Sequence, residues 1–264
     1  MPTLQPSEPV TPFIANLARK IRRIQCLFRK RQRNKDILFH LLCSQDQDLA
    51  TQIKAKRITY LSPERLASIA LACRLIESQN LSGMIIEAGC ALGGSSTLLA
   101  SIKSNDRELR VYDVFGMIPS PSKHDTDDAR RRYKVISEGR SKGIRGDTYY
   151  GYDDDLISKI KSNFASFGID LIAQNVNLIK GLLQDTLNVD GPVALAHIDV
   201  DWYDPVYTCL ERIMPKLVVG GIIIIDDYYD WKSCRKAVDA FLPSLQGKVS
   251  IDNTAGSIKI TRVS

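Results

Sequence analysis

Along the middle of the chain, short aliphatic runs alternate with stretches whose apolar positions recur at helical spacing. Met84–Glu87, Leu109–Asp113, Val176–Lys180, Val193–Val200 and Gly220–Ile225 predict five strands. The run Ile222–Ile225 is what a strand buried on both faces requires. Between the strands the spacing predicts helices over 62–78, from about Ser95, over 154–167 and over 206–214. The first opens with Ser62-Pro63-Glu64, a cap, a proline at the first helical position and an acid in the first turn. Two segments, Lys248–Ile251 and Ser257–Thr261, flank Asn253 and Gly256 and predict a terminal hairpin. Alternating β and α units imply an α/β fold, a parallel sheet with helices on both faces. Between Met117 and Tyr152 the pattern breaks into prolines, glycines and charge. So long an insertion after a sheet strand, on the side where open α/β sheets bind ligands, predicts a lid.

The N-terminus differs from the rest. Residues 1–12 are rich in Pro, Ser and Thr and predict disorder. Phe13, Ile14, Leu17, Ile21, Ile24 and Phe28 follow at helical spacing with basic residues between them. Nine Lys/Arg and no acid lie between Arg19 and Lys35, so removing them from the net charge of +6 leaves −3 for the body. The expected division is a basic helical extension over 1–56 and one α/β domain over 57–264. The amphipathic helix is read first as docked on its own domain or on a dimer mate. An anionic membrane surface contacted through residues 13–35 comes second, and nucleic acid last.

Composition narrows the class. Hydrophobic content of 44% and charged content of 25% are ordinary for a soluble globular protein. Six scattered cysteines without a CxxC pair argue against zinc ribbons and disulfide frameworks, and for reduced thiols in a cytoplasm. No apolar run approaches membrane-spanning length.

Two groups of residues carry candidate chemistry. Ile86-Glu87-Ala88-Gly89-Cys90-Ala91-Leu92-Gly93-Gly94-Ser95 ends a strand with an acid, turns on glycine and enters a helix. Glycines let a ligand approach the backbone, and the helix start offers free N–H groups to an anion. The spacing differs from the GxGxxG dinucleotide fingerprint. Asp113, 26 residues after Glu87, ends the next strand, where a carboxylate can accept both ribose hydroxyls of a nucleoside. The second group is acidic: Asp199 follows one strand, and Asp226 and Asp227 follow another. If those strands are neighbours, three carboxylates converge. They repel unless they share a proton or a cation, and a hard ion such as Mg²⁺ resolves that repulsion. The plainer alternative is that Asp226 and Asp227 cap the turn that follows, as Asp204 ahead of Pro205 is expected to cap its helix. His197 is expected to be a buried strand histidine donating to a carboxylate, and His124 a surface loop residue.

The glycine turn resembles the first motif of class I methyltransferases, which bind S-adenosylmethionine there. More specifically, Asp113-x-Phe115-Gly116, Lys180-Gly181-Leu182-Leu183-Gln184-Asp185-Thr186-Leu187, His197-Ile198-Asp199-Val200-Asp201-x-Tyr203, Asp226-Asp227-Tyr228 and Cys234-Arg235-Lys236-Ala237-Val238-Asp239 resemble the macrocin/mycinamicin O-methyltransferase family over about residues 57–262. The resemblance implies a Rossmann-like class I methyltransferase fold, with a mostly parallel seven-stranded sheet and a C-terminal antiparallel hairpin. It implies Mg²⁺-dependent transfer of a methyl group from S-adenosylmethionine to a sugar hydroxyl. Glu87, Gly89 and Asp113 would bind the cofactor, with Ser95 near its carboxylate. Asp199, Asp226 and Asp227 would hold the metal, Asp201 would be the general base, and a homo-oligomer would be expected. The long polar insertion leaves the acceptor open among a natural product, a glycan and a glycolipid. The alternative from another class is a nucleoside-binding scaffold, or a membrane- or nucleic-acid-associated protein anchored by the basic helix.

Overall fold

The computed structural model describes residues 37–264, so the disorder expected over 1–12 and the basic helix expected from Phe13 lie outside the described residues. The strands are β1 (Met84–Ala88), β2 (Leu109–Asp113), β3 (Val176–Lys180), β4 (Val193–Ile198), β5 (Leu217–Ile225), β6 (Val249–Asp252) and β7 (Ile258–Arg262). They form one sheet in the order β3-β2-β1-β4-β5-β7-β6. β1 to β5 run parallel, while β7 is antiparallel to both β5 and β6. This is the expected Rossmann-like sheet with its C-terminal hairpin.

The aliphatic runs explain why the sheet has two packed faces. Side chains of a strand point alternately to opposite sides. Ile222 and Ile224 therefore join the core on one face, with Ile85, Leu109, Val111 and Leu195. Ile223 and Ile225 join the other, with Ile86, Ala88, Ala196 and Ile198. Helices α1 (Ser44–Ala55), α2 (Pro63–Ser78), α3 (Gly94–Ile102) and α5 (Leu156–Ala165) contribute to the first core. The short α6 (Leu183–Thr186), α7 (Tyr203–Ile213) and α8 (Lys232–Phe241) contribute to the second. Ser62 caps α2 as its sequence predicts, its hydroxyl accepting from the Arg65 amide at 3.4 Å.

Several bounds move. β5 begins at Leu217 and not at Gly220, because Gly220 takes a left-handed φ of 82° within the strand and shifts its register against β4. α7 starts at Tyr203, with Trp202 at the cap position and Asp204 in the first turn, so Asp204 is not the N-cap. The inserted stretch contains a helix of its own, α4 (Asp127–Ser137), with Ala129 and Ile136 buried. The insertion returns almost to where it leaves. A side chain at Gly151 would meet the Met117 Cα at 3.1 Å and the Gly116 carbonyl at 3.2 Å.

The chain runs from β1 outward through β2 and β3, then crosses back to place β4 on the other side of β1. That reversal opens a crevice at the carboxyl ends of β1 and β4, the usual ligand position in such sheets.

Candidate active site

A cavity of about 640 Å³ occupies this crevice. Gly89, Asp113, Asp199, Asp201, Asp226 and Asp227 all line it, and the insertion adds Ile118, Pro119, Arg132, Tyr149 and Tyr150 to its wall. Six of the residues singled out from the sequence thus meet in one place.

Gly89 follows β1 with φ 81°, and a Cβ there would overlap the Asp199 backbone carbonyl. The ends of β1 and β4 are in direct contact, tied by the Asp199 amide donating to the Ala88 carbonyl at 2.8 Å. Only glycine permits that approach. Asp113 accepts from the Cys90 amide at 2.8 Å through one oxygen and from the Phe115 amide at 2.8 Å through the other. Burial pushes its carboxyl up, and these backbone donors pull it back.

Glu87 and Ser95 do not reach the cavity. Glu87 is fully buried, accepts from the Ser96 hydroxyl, and pairs with Nδ1 of His197 at 2.9 Å. The parallel register sets Glu87 beside His197 on neighbouring strands. Burial opposes a charged imidazole, but the Glu87 hydrogen bond and charge outweigh it and hold His197 above its ordinary value. His197 is thus the buried strand histidine expected, while Nε2 has no hydrogen-bond partner among the described residues. Ser95 is buried in the first turn of α3 and is absent from the cavity wall. Exposed His124 pairs with Asp204 at 2.7 Å.

The acidic group converges as neighbouring strands predict. Carboxylate oxygens of Asp199, Asp226 and Asp227 lie within 4.8 Å of one another. Burial first, then the Asp226 charge, raises Asp199 to about 8. Burial also raises Asp226 and lifts Asp227 well above the carboxylate range. Neither side chain caps the 3-10 turn they begin. Instead Asp226 accepts from Arg65 at 2.6 Å through Oδ2, while its buried Oδ1 has no partner among the described residues. Asp227 accepts the Asp201 amide at 3.2 Å. Three clustered hard oxygen donors, one of them buried and unsatisfied, fit a divalent cation with oxygen preference. Asp201 stands beside them in a left-handed conformation, φ 56°, which is strained for a residue other than glycine. Burial raises it to about 6, with Arg132 pulling the other way.

Two arginines on the wall were not singled out from the sequence. Arg65 reaches from α2 to Asp226, to Asp230 at 2.6 Å and to the Gly256 carbonyl at 3.0 Å. Arg132 lies on α4 above the Tyr149 ring, 5.8 Å from its centroid. Arg65 and Asp226 are separated by 161 residues, so no local pattern announces the pair. The spacing of Ala129, Arg132, Tyr133 and Ile136 is helical and would have disclosed the inner face of α4.

The insertion is fastened beside this site. Asp125 accepts the Tyr203 amide at 2.8 Å, the Trp202 indole donates to the Pro119 carbonyl at 3.0 Å, and the Thr126 amide donates to Ser233 at 2.9 Å.

Comparison with known proteins points the same way. Residues 42–255 match the sequence model of the family described as macrocin-O-methyltransferase (TylF). Demethyldecarbamoylnovobiocin O-methyltransferase of Streptomyces niveus is 26% identical over 195 residues, covering 69% of this chain and 67% of that protein. The 8-demethyl-8-(2,3-dimethoxy-alpha-L-rhamnosyl)-tetracenomycin-C 4'-O-methyltransferase of Streptomyces olivaceus is 25% identical over 211 residues, covering 78% and 74%. The solved O-methyltransferase NovP superposes with a TM-score of 0.65 at 23% identity, covering 78% of this chain and 83% of that one, a likeness of fold.

Proposed function

Because the chain belongs to the macrocin O-methyltransferase family, we propose that it methylates a sugar hydroxyl, with a divalent ion such as Mg²⁺ held by Asp199, Asp226 and Asp227. It is an S-adenosylmethionine-dependent O-methyltransferase, and the finer reading adds the acceptor class and the metal. The observation that carries the metal is the unpartnered, buried Oδ1 of Asp226 among three converging carboxylates. The sugar acceptor is supported by the relative whose name describes O-methylation of a rhamnosyl-tetracenomycin.

In this reading the glycine turn at Gly89 and the carboxylate of Asp113 receive the cofactor, amino-acid end and ribose respectively. Glu87 acts from behind the wall, fixing β1 to β4 through His197, and Ser95 supports the first turn of α3. A bound divalent ion would lower the pKa of an acceptor hydroxyl and orient it. Asp201 then takes the hydroxyl proton, and its raised pKa near 6 leaves it largely ionised and still basic at neutral pH. Bound S-adenosylmethionine would supply an activated sulfonium methyl for the acceptor oxygen, with S-adenosylhomocysteine as the leaving group. The methyl is already activated, so the protein's part is alignment and exclusion of water. The inserted segment 117–152 serves as the wall that does so.

Thermal stabilisation by S-adenosylhomocysteine, with and without Mg²⁺, tests the reading together with radiolabel transfer to deoxysugar glycosides. Absence of cofactor binding, or full transfer in EDTA, would overturn it. The cytoplasmic location, a homo-oligomer and membrane contact through residues 13–35 remain proposals of the sequence alone.

A further inference from the structure

We infer that the acceptor carries an anionic group, a carboxylate or a phosphate, and that Arg132 receives it. The inference rests on the reading that this cavity holds both cofactor and acceptor.

Arg132 is half-buried and lines the cavity from the insertion, in the same space that Asp199, Asp201, Asp226 and Asp227 line. Tyr60, Tyr149 and Asp201, from three separate segments, line the cavity together with it. Yet it forms no hydrogen bond with a described residue and comes within 4.0 Å of no described carboxylate. Among the described residues its close partner is the face of Tyr149. The other basic groups nearby are engaged. Arg65 is taken up by Asp226, Asp230 and the Gly256 carbonyl, and Arg130 by the Ser122 and Asp125 carbonyls.

A guanidinium laid over a ring, with its planar fork free, is built to take a carboxylate or a phosphate through two parallel hydrogen bonds. Keeping such a group half-dry without direct contact to an anion costs free energy that a matching anion returns on binding. A neutral acceptor packed into the same space would bury the arginine without a partner. Sites of that kind discriminate strongly against the analogue that lacks the pairing group. The substrate class that fits is a sugar bearing an anion, either a uronate or a sugar still joined to a phosphate.

The test compares wild type, Arg132→Met and Arg132→Lys by calorimetry, with and without S-adenosylhomocysteine, in EDTA so that no metal binds the phosphates. Methyl glucuronide and uridine diphosphate glucose are the anionic probes, and methyl glucoside is the neutral one. In the wild type at least one anionic probe should bind about tenfold more tightly than the neutral sugar, equivalent to about 1.4 kcal/mol. Which of the two does so separates carboxylate from phosphate. Arg132→Met should erase the difference, Arg132→Lys should keep part of it, and affinity for S-adenosylhomocysteine should be equal in all three. Equal binding of anionic and neutral probes, no saturable anion binding up to about 10 mM, or a preference that survives Arg132→Met overturns the inference. So does weaker S-adenosylhomocysteine binding by Arg132→Met, which would assign the arginine to the cofactor carboxylate. Failure of S-adenosylhomocysteine to bind the wild type strikes the proposed function alone, because the anion comparison is read without it.

Discussion

Raising the pH should destabilise the cation-free protein, and Mg²⁺ should cancel the loss. Asp199 is raised to about 8 and Asp201 to about 6, and Asp226 and Asp227 are raised as well, all chiefly by burial. An unfolded chain gives up these protons near pH 3.9. The folded state therefore holds protons that the unfolded state has lost. Stability from these groups is complete below about pH 4 and drains away as pH climbs through the folded values. Each retained proton costs about 1.4 kcal/mol per pH unit. One proton kept by Asp199 from about pH 6 to 7.5 amounts to about 2 kcal/mol, less whatever water in the open cavity screens. His197, also raised, adds in the same direction. A cation binding at the carboxylates must displace the proton that Asp199 retains, so Mg²⁺ affinity should rise by up to about tenfold per pH unit over this range. Urea unfolding in EDTA and in Mg²⁺ measures the first effect. Calorimetry in two buffers of different ionisation enthalpy measures the second, with about one proton released per ion. A cation-free stability that is flat or rises between about pH 6 and 7.5 would refute the reasoning, as would an Mg²⁺ affinity indifferent to pH.

The carboxylates should behave as a unit: Asp226→Asn or Asp227→Asn alone removes most Mg²⁺-dependent transfer, and the double variant costs little more in the same radiolabel assay. Asp201→Asn should keep cofactor and Mg²⁺ affinity by calorimetry while kcat falls about 10²-fold. Gly89→Ala should lower unfolding free energy by about 3 kcal/mol, from left-handed strain and the clash with Asp199, and a denaturant titration checks it. His197→Leu should cost about 3–5 kcal/mol by leaving buried Glu87 short of a partner, with much of it restored by the Glu87→Leu/His197→Leu double variant.

The sheet is legible in the sequence because its central strands β1, β4 and the second half of β5 are apolar runs buried on both faces, a pattern hard to mistake. What failed to show depends on contacts between distant segments. The start of α7 was misplaced because its first amide is met by Asp125, 78 residues away, and not by a local cap. Helix α8 went unpredicted although Cys234, Ala237, Val238 and Phe241 have the right spacing. Convergence of the three aspartates was legible, since it needs only that β4 and β5 be neighbours. An acid at a strand end beside a glycine turn is equally suited to holding a cofactor or to tying strands together. The β1–β4 register, which no local pattern shows, sets His197 next to Glu87.

The near contact between Gly151 and the Met117–Gly116 backbone gives the insertion the form of a cassette with a closed neck on the sheet, held a second time by Pro119, Asp125 and Thr126 on α7 and α8. Length and sequence between those anchors can change while the strand ends that carry Gly89, Asp113 and Asp199 stay where they are. Evolution can therefore retarget the acceptor without rebuilding the transfer chemistry. For the engineer, a relative's segment grafted across that closed neck is the change most apt to bring a new acceptor into an old active site.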